Sequence, residues 1–215
     1  MLIHPLRTVL TGAARGRFPA ADGTVEVVAP WLAGVEAVVS LTGRAYIATS
    51  YSADELARWQ LDGFGSALDP RFVTWLAGPD GWCDCVDLLM VAPGTGTGAD
   101  PDALPRLDDL DEAYAGDRAA HARAVRSDVV LHGDERGSVT LASGIAGLAE
   151  IGVEVSEGRR SRGGGRALVR DALALVPAGE PVLAAVAPGN AASVRAILAA
   201  GFSPIGSVQL VRPSR

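Results

Sequence analysis

The sequence predicts a mixed α/β fold for its 215 residues, and three observations carry that expectation. Apolar runs of strand length, bounded by Gly, Pro and Asp, alternate with stretches of helical period. Two pairs of such runs lie close enough to form hairpins, residues 37–49 turning near Thr42-Gly43 and residues 129–142 turning through 133–137. Residues 182–187, set between Pro181 and Pro188, read as a buried strand that follows a helix. Hairpins together with helix-linked strands make a mixed sheet rather than a simple doubly wound one.

In the first part of the chain, residues 24–29 form the first predicted strand and the 37–49 hairpin follows. Ser52-Ala-Asp-Glu55 is a capping box, so a helix starts at Ala53. Residues 70–76 form a second short helix and 85–92 an apolar strand. Trp59, Phe64, Phe72 and Trp75 fall at core-like spacing, which favours packing over a pocket lining. Cys83 and Cys85 are read as two buried thiols at a strand edge, since two cysteines make no disulfide scaffold and no second pair completes a metal site.

Residues 93–106, rich in Gly, Pro and Asp, read as a linker or surface loop between an N-terminal α/β region (1–92) and a C-terminal domain (107–215). In that domain, residues 107–126 form a helix with an acidic first half and an arginine-rich end, an order that suits the helix dipole. Strands at 129–132, 138–142 and 148–155 come next, then an amphipathic helix over 165–176 and the buried strand 182–187. Asn190 caps a helix that ends at Gly201, and 204–211 is the final strand, a possible edge for pairing between subunits.

Composition narrows the function classes. A hydrophobic content of 48% with 20% charged residues is that of a soluble globular protein, and no run is long enough to cross a membrane. Net charge is -6, which argues against nucleic acid as a partner. No metal site is expected. The first 18 residues alternate Arg with short apolar runs and lack the apolar core of a signal peptide, which places the protein in the cytoplasm.

Against that acidic background, residues 159–170 hold five arginines and no acid. Arg159-Arg160-Ser161-Arg162-Gly163-Gly164-Gly165-Arg166 joins a strand to a helix, so free backbone N–H groups and the helix dipole converge on one turn. That is a cradle for phosphate. A nucleoside-triphosphate loop needs Lys-Ser/Thr after its last glycine, and Arg166-Ala167 stands there instead. A dinucleotide fingerprint needs a third glycine where Leu168 stands, and an acid ending the next strand.

The spacing Arg160-x-x-Gly163-x-Gly165, followed by Arg166 on a helix, resembles the acetyl-CoA pyrophosphate loop of the GNAT superfamily of N-acetyltransferases. Asn190-x-x-Ser193-x-Arg195, ending in Gly201-Phe202, is similar to the family's second signature. The resemblance covers roughly residues 129–212. It implies a splayed central sheet, GNAT-like, in which the strand ending at Val155 parts from the strand 182–187 and admits the acyl-pantetheine arm. The arm's amides would pair with Val153 and Val155. Gly163, Gly164, Gly165 and the N–H groups of Arg162 and Arg166 would hold the diphosphate, with the Arg160 side chain among those in reach. Asn190 and Ser193 would face the pantetheine. Glu150 lies where several members carry a carboxylate base, and Glu154 shares its face if the strand is regular.

The implied activity is acyl-CoA-dependent N-acyl transfer, acetyl from acetyl-CoA to a primary amine by direct attack. The acceptor is expected to be a small-molecule amine or a basic peptide, given the acidic chain. One departure bears on catalysis: the family's usual tyrosine acid falls at Ile197, which has no proton to give. Tyr46, Tyr51, Tyr114, His121 and His132 are the other groups able to act, and a non-catalytic acyl-CoA-binding module is the alternative. Residues 1–92 are an added domain, the first half of an enlarged fold, or a degenerate copy of it.

Overall fold

The computed structural model describes residues 3–96, 104–107, 117–159 and 163–215. They form two compact units, Met1–Leu89 with Ile205–Arg215, and Met90–Pro204. The chain leaves the first unit within one strand and returns to it within the last.

The first unit opens with helix α1 (Pro5–Ala13), which the sequence reading did not anticipate. Pro5 occupies the first turn and the His4 ring accepts from the Leu6 N–H, while Leu6, Leu10 and Ala13 are buried. Strand β1 (Val25–Val28) runs parallel to β3 (Arg44–Ala48), and β2 (Glu36–Leu41) forms the expected hairpin with β3. The capping box holds in both directions at α2 (Ala53–Leu56), but the helix lasts one turn before tightening to 3-10 geometry. Asp69 caps α3 (Pro70–Ala77) and also grips Arg71, whose hydrogen bonds hold the Asp69 carboxyl down at about 2. The short β4 (Trp82–Cys83) pairs with the final strand β10 (Ser203–Arg212), which also pairs with β2. Within this unit the order is β1-β3-β2-β10.

Val38, Ile47, Phe72, Leu76 and Val211 make the core, with Trp59 and Trp75 packed against it. Phe64 departs from that pattern and is 69% exposed. Cys85 is also exposed rather than buried, because it lies past the end of β4; partial burial and its bond to Asp87 push the thiol up to about 12.

The second unit contains the end of β5 (Asp87–Pro93), α4 (Asp117–Val125), β6 (Ser127–Asp134), β7 (Gly137–Ser143), β8 (Ala149–Val155), α5 (Gly164–Ala174), β9 (Pro181–Val186) and α6 (Ala191–Ala199). Its strand order is β5-β9-β8-β7-β6. Helix α4 packs on β6, β7 and β8, and α5 on β7, β8 and α6.

Three expectations change here. The helix read over 107–126 does not include Leu107, whose N–H bonds to the Leu131 carbonyl in β6; the acidic stretch 108–112 lies outside the described residues. The segment read as a linker is docked at both its described ends: Gly94, Thr95 and Gly96 donate to Glu180, Leu173 and Val176, and Gly133 donates to Pro105. The final strand is no open edge, being paired with β2 and β4, and it belongs with the first unit rather than with residues 107–204. None of these could be read from residue type, because each pairing joins segments far apart in the chain.

Candidate functional site

Strand β8 is zipped on one side and open on the other. Its edge toward β7 is antiparallel and paired at seven successive positions, from Gly137↔Val155 to Ser143↔Ala149. Toward β9 it is parallel and paired at two, Ala149↔Val182 and Glu150↔Leu183. From Ile151 onward β8 has no register with β9, although both strands continue. A gap therefore opens between neighbouring strands, with Val153 and Val155 on its rim, half-buried.

Helix α5 begins at the wide end of this gap. Gly165 packs so closely that a Cβ there would lie 3.2 Å from Val155 Cγ2 and 3.7 Å from Ala196 Cβ. Glycine at this position lets α5 sit between β8 and α6. The helix N-terminus is Gly163, at φ 80° and ψ -3°, a left-handed conformation that favours glycine. Among the described residues, a Cβ on Gly163 would meet nothing within 4 Å, which leaves this side of the turn open. Among the described residues no side chain caps α5, and no acid sits in its first turn. Gly164 is half-buried and Arg166 exposed. Arg160 and Arg162 lie outside the described residues.

Arg136, in the β6–β7 turn, steadies the helix. It binds Asp134 beside it and Asp171 of α5 at 2.6 Å. Asp134 first, then Asp171, raise its hold on its proton against the opposing effect of burial.

The start of α6 is built differently. Asn190 Oδ1 accepts the Ser193 N–H at 3.1 Å, an ordinary N-cap. That bond orients both residues named by the second motif. Ile197, further along α6, is 7% exposed.

Glu150 marks the apex, at the last position where β8 and β9 pair. Its side chain is not free for base work. Oε1 pairs with Arg126 Nη2 at 2.6 Å, and Oε2 accepts the Ile145 N–H at 3.2 Å. The two side chains are 4% and 5% exposed. Both carboxylate oxygens of Glu150 are thus engaged within the protein, and neither is turned toward solvent. Glu154, two residues beyond Gly152, is exposed.

Arg126 was not singled out from sequence. It stands between α4 and β6, and the only hint was an arginine at the start of an apolar strand. Its ion-pair partner is 24 positions away (126 to 150), beyond what spacing reveals. Tyr46 and Tyr51 belong to the first unit, and Tyr114 lies outside the described residues. The His132 ring bonds to the Leu104 carbonyl at 3.0 Å, and His121 is half-buried on α4. Among the described residues no three His, Cys, Asp or Glu gather as for a metal ion, and no helix is long and apolar enough to cross a membrane.

No protein family and no curated protein matches the chain. Among solved structures it is similar to a GNAT-family protein from Novosphingobium aromaticivorans, at 20% identity and a TM-score of 0.42, over 64% of this chain and 69% of that one. A GCN5-related N-acetyltransferase from Kribbella flavida is similar at 15% identity and 0.43, over 71% of this chain and 64% of that one. Another from Sphaerobacter thermophilus is similar at 20% and 0.38, over 60% and 53%.

Proposed function

We propose that the chain is an acyl-CoA-dependent N-acyltransferase that moves acetyl from acetyl-CoA to a primary amine by direct attack. The observation that carries this reading is the gap between β8 and β9, with an uncapped glycine-rich helix start at its wide end. The residues present suit the thioester substrate. Main-chain N–H groups of residues 164–166, left without a side-chain cap, would take the diphosphate. The unpaired edge at Val153 and Val155 would take the arm as an added strand, and Asn190 and Ser193 would border it. Cationic acceptors, whether amine metabolites or basic peptides, suit the net charge of -6.

At a hundredfold excess over its Kd, acetyl-CoA should stabilise the protein by about 2.7 kcal/mol, raising Tm by roughly 5–10 °C for a domain of this size. Gly163→Glu, which places a carboxylate on the open side of the turn, should abolish that shift. Unchanged Tm together with no calorimetric heat at saturating CoA and acetyl-CoA would sink the proposal.

A second reading, a non-catalytic acyl-CoA-binding module, is favoured by Ile197 at the acid position and by the closed pair at Glu150. Free-thiol release across an amine panel separates the two: a binding module shows affinity for acetyl-CoA and no release above background hydrolysis.

A further inference from the structure

We propose that Arg126 is a catalytic residue of this site, donating hydrogen bonds to the thioester carbonyl oxygen; the inference rests on the acyl-CoA reading above. One guanidinium nitrogen, Nη2, holds Glu150. The other two, Nε and Nη1, are buried and have no hydrogen-bond partner among the described residues. Three N–H bonds on a fully charged group are thereby withheld from water, a costly arrangement unless an acceptor arrives. The side chain is 5% exposed, so solvent does not satisfy them from outside.

Their position is specific. The point a Cβ would occupy at Gly152 lies 3.4 Å from Arg126 Nη1. Gly152 is the second residue beyond the last β8–β9 pair, on the stretch of β8 that borders the gap. Gly152 and Val155 have opposite parity, so Arg126 stands on the face of β8 away from α5. An arm entering from the start of α5, beside Val155, would travel three to five residues of strand to Gly152 or Glu150, roughly 10–17 Å. A chain of about a dozen single bonds reaches that far. The thioester end then falls beside the free N–H groups.

The charge state selects the ligand atom. Arg126 and Glu150 together are neutral, so a full anion seated there would leave net negative charge buried. A carbonyl oxygen enters neutral and gains charge only as reaction proceeds. The amine lone pair forms the C–N bond while the C=O π pair moves onto oxygen, where Nε–H and Nη1–H hold it. When C=O reforms, the C–S bond breaks and the thiolate leaves with the electron pair. The proton lost by the nitrogen passes through water to the sulfur, giving amide and free CoA. No proton donor is required at Ile197 for the oxygen's charge to be held.

Isotope-edited infrared spectroscopy of carbonyl-labelled acetyl-CoA, bound to the full chain without acceptor, tests this directly. Hydrogen bonds from a guanidinium lower the thioester carbonyl frequency below its value in water. Arg126→Lys keeps the charge opposite Glu150 but removes the planar Nε and Nη1 donors, so it should bind acetyl-CoA within a few-fold of the parent and lose the downshift. Thiol release with any active amine should fall about 100-fold in kcat with KM for acetyl-CoA little changed. If Arg126→Lys does not fold, the neutral pair Arg126→Met with Glu150→Gln replaces it, with the same spectrum expected. Acetyl-CoA that binds with an unshifted carbonyl, or a downshift that survives either variant, overturns the assignment of Arg126 alone. Calorimetry showing no binding overturns the acyl-CoA reading itself, and this inference with it.

Discussion

The two edges of β8 are made from the same seven residues, yet one is closed and the other opens after two positions. Strand propensity cannot account for that, because Ile151, Val153 and Val155 are strong strand formers on either side. The closed edge is secured by its turn. Gly137, at φ 145°, lets the β6–β7 turn bring β7 against the end of β8, where a Cβ would stand 2.0 Å from the Glu154 carbonyl oxygen. The open edge is held apart by what packs beside it: α5 reaches Val155 through Gly165, and the Arg126–Glu150 pair sits at the apex. An unpaired strand edge inside a domain costs hydrogen bonds, so it persists where flanking elements hold it.

If the apex pair holds the gap, removing one member has the largest effect. Glu150→Gln leaves Arg126 as a buried uncompensated charge and should destabilise the protein by about 3–5 kcal/mol in urea unfolding. Replacing both, Arg126→Met with Glu150→Gln, should recover most of that loss. Equal stability of Glu150→Gln and the parent would mean that the pair does not hold the apex.

A smaller effect is expected one step into the gap. Gly152→Ala brings a Cβ to 2.7 Å from Thr140 Oγ1 and 3.2 Å from Arg118 Cδ, so α4 must shift or the hydroxyl turn. We expect a loss of about 1–3 kcal/mol in denaturant midpoint. No loss would show that this face of β8 is looser than its packing indicates.

The smallest change sharpens the contrast between the two helix starts. Asn190→Ala removes the cap of α6 and should cost about 1 kcal/mol, or roughly 2–4 °C in Tm by calorimetry. Gly163→Ala at α5 removes no cap, since none is there, and any loss would report its left-handed backbone alone. An unchanged Tm in Asn190→Ala would show that the cap does not hold the start of α6.

Much of this was readable from residue order. The capping box at Ser52, the hairpin at Thr42-Gly43, the Asn190 cap and the glycine turn before α5 are local devices, set by residues within a few positions of one another. The signals of helix α1, Pro5 in the first turn with Leu6 and Leu10 on one face, are local too, but its cap is a histidine, which is not among the residues that ordinarily mark a helix start. The arginines of the loop were conspicuous, yet the one whose partnering matters here, Arg126, carries no motif.

Residue type and spacing therefore settled the local caps, the hairpins and the glycine turn before α5, since each depends on backbone chemistry that neighbours in sequence control, whereas the split sheet was implied by the family resemblance alone. Only the tertiary structure decided that Glu150 is locked to Arg126, that the docked segments at 94–96 and 104–107 are no free linker, and that β10 joins the first unit. Those outcomes depend on which distant groups meet once the core forms, and burial gives such meetings their energy without leaving a local trace in the chain.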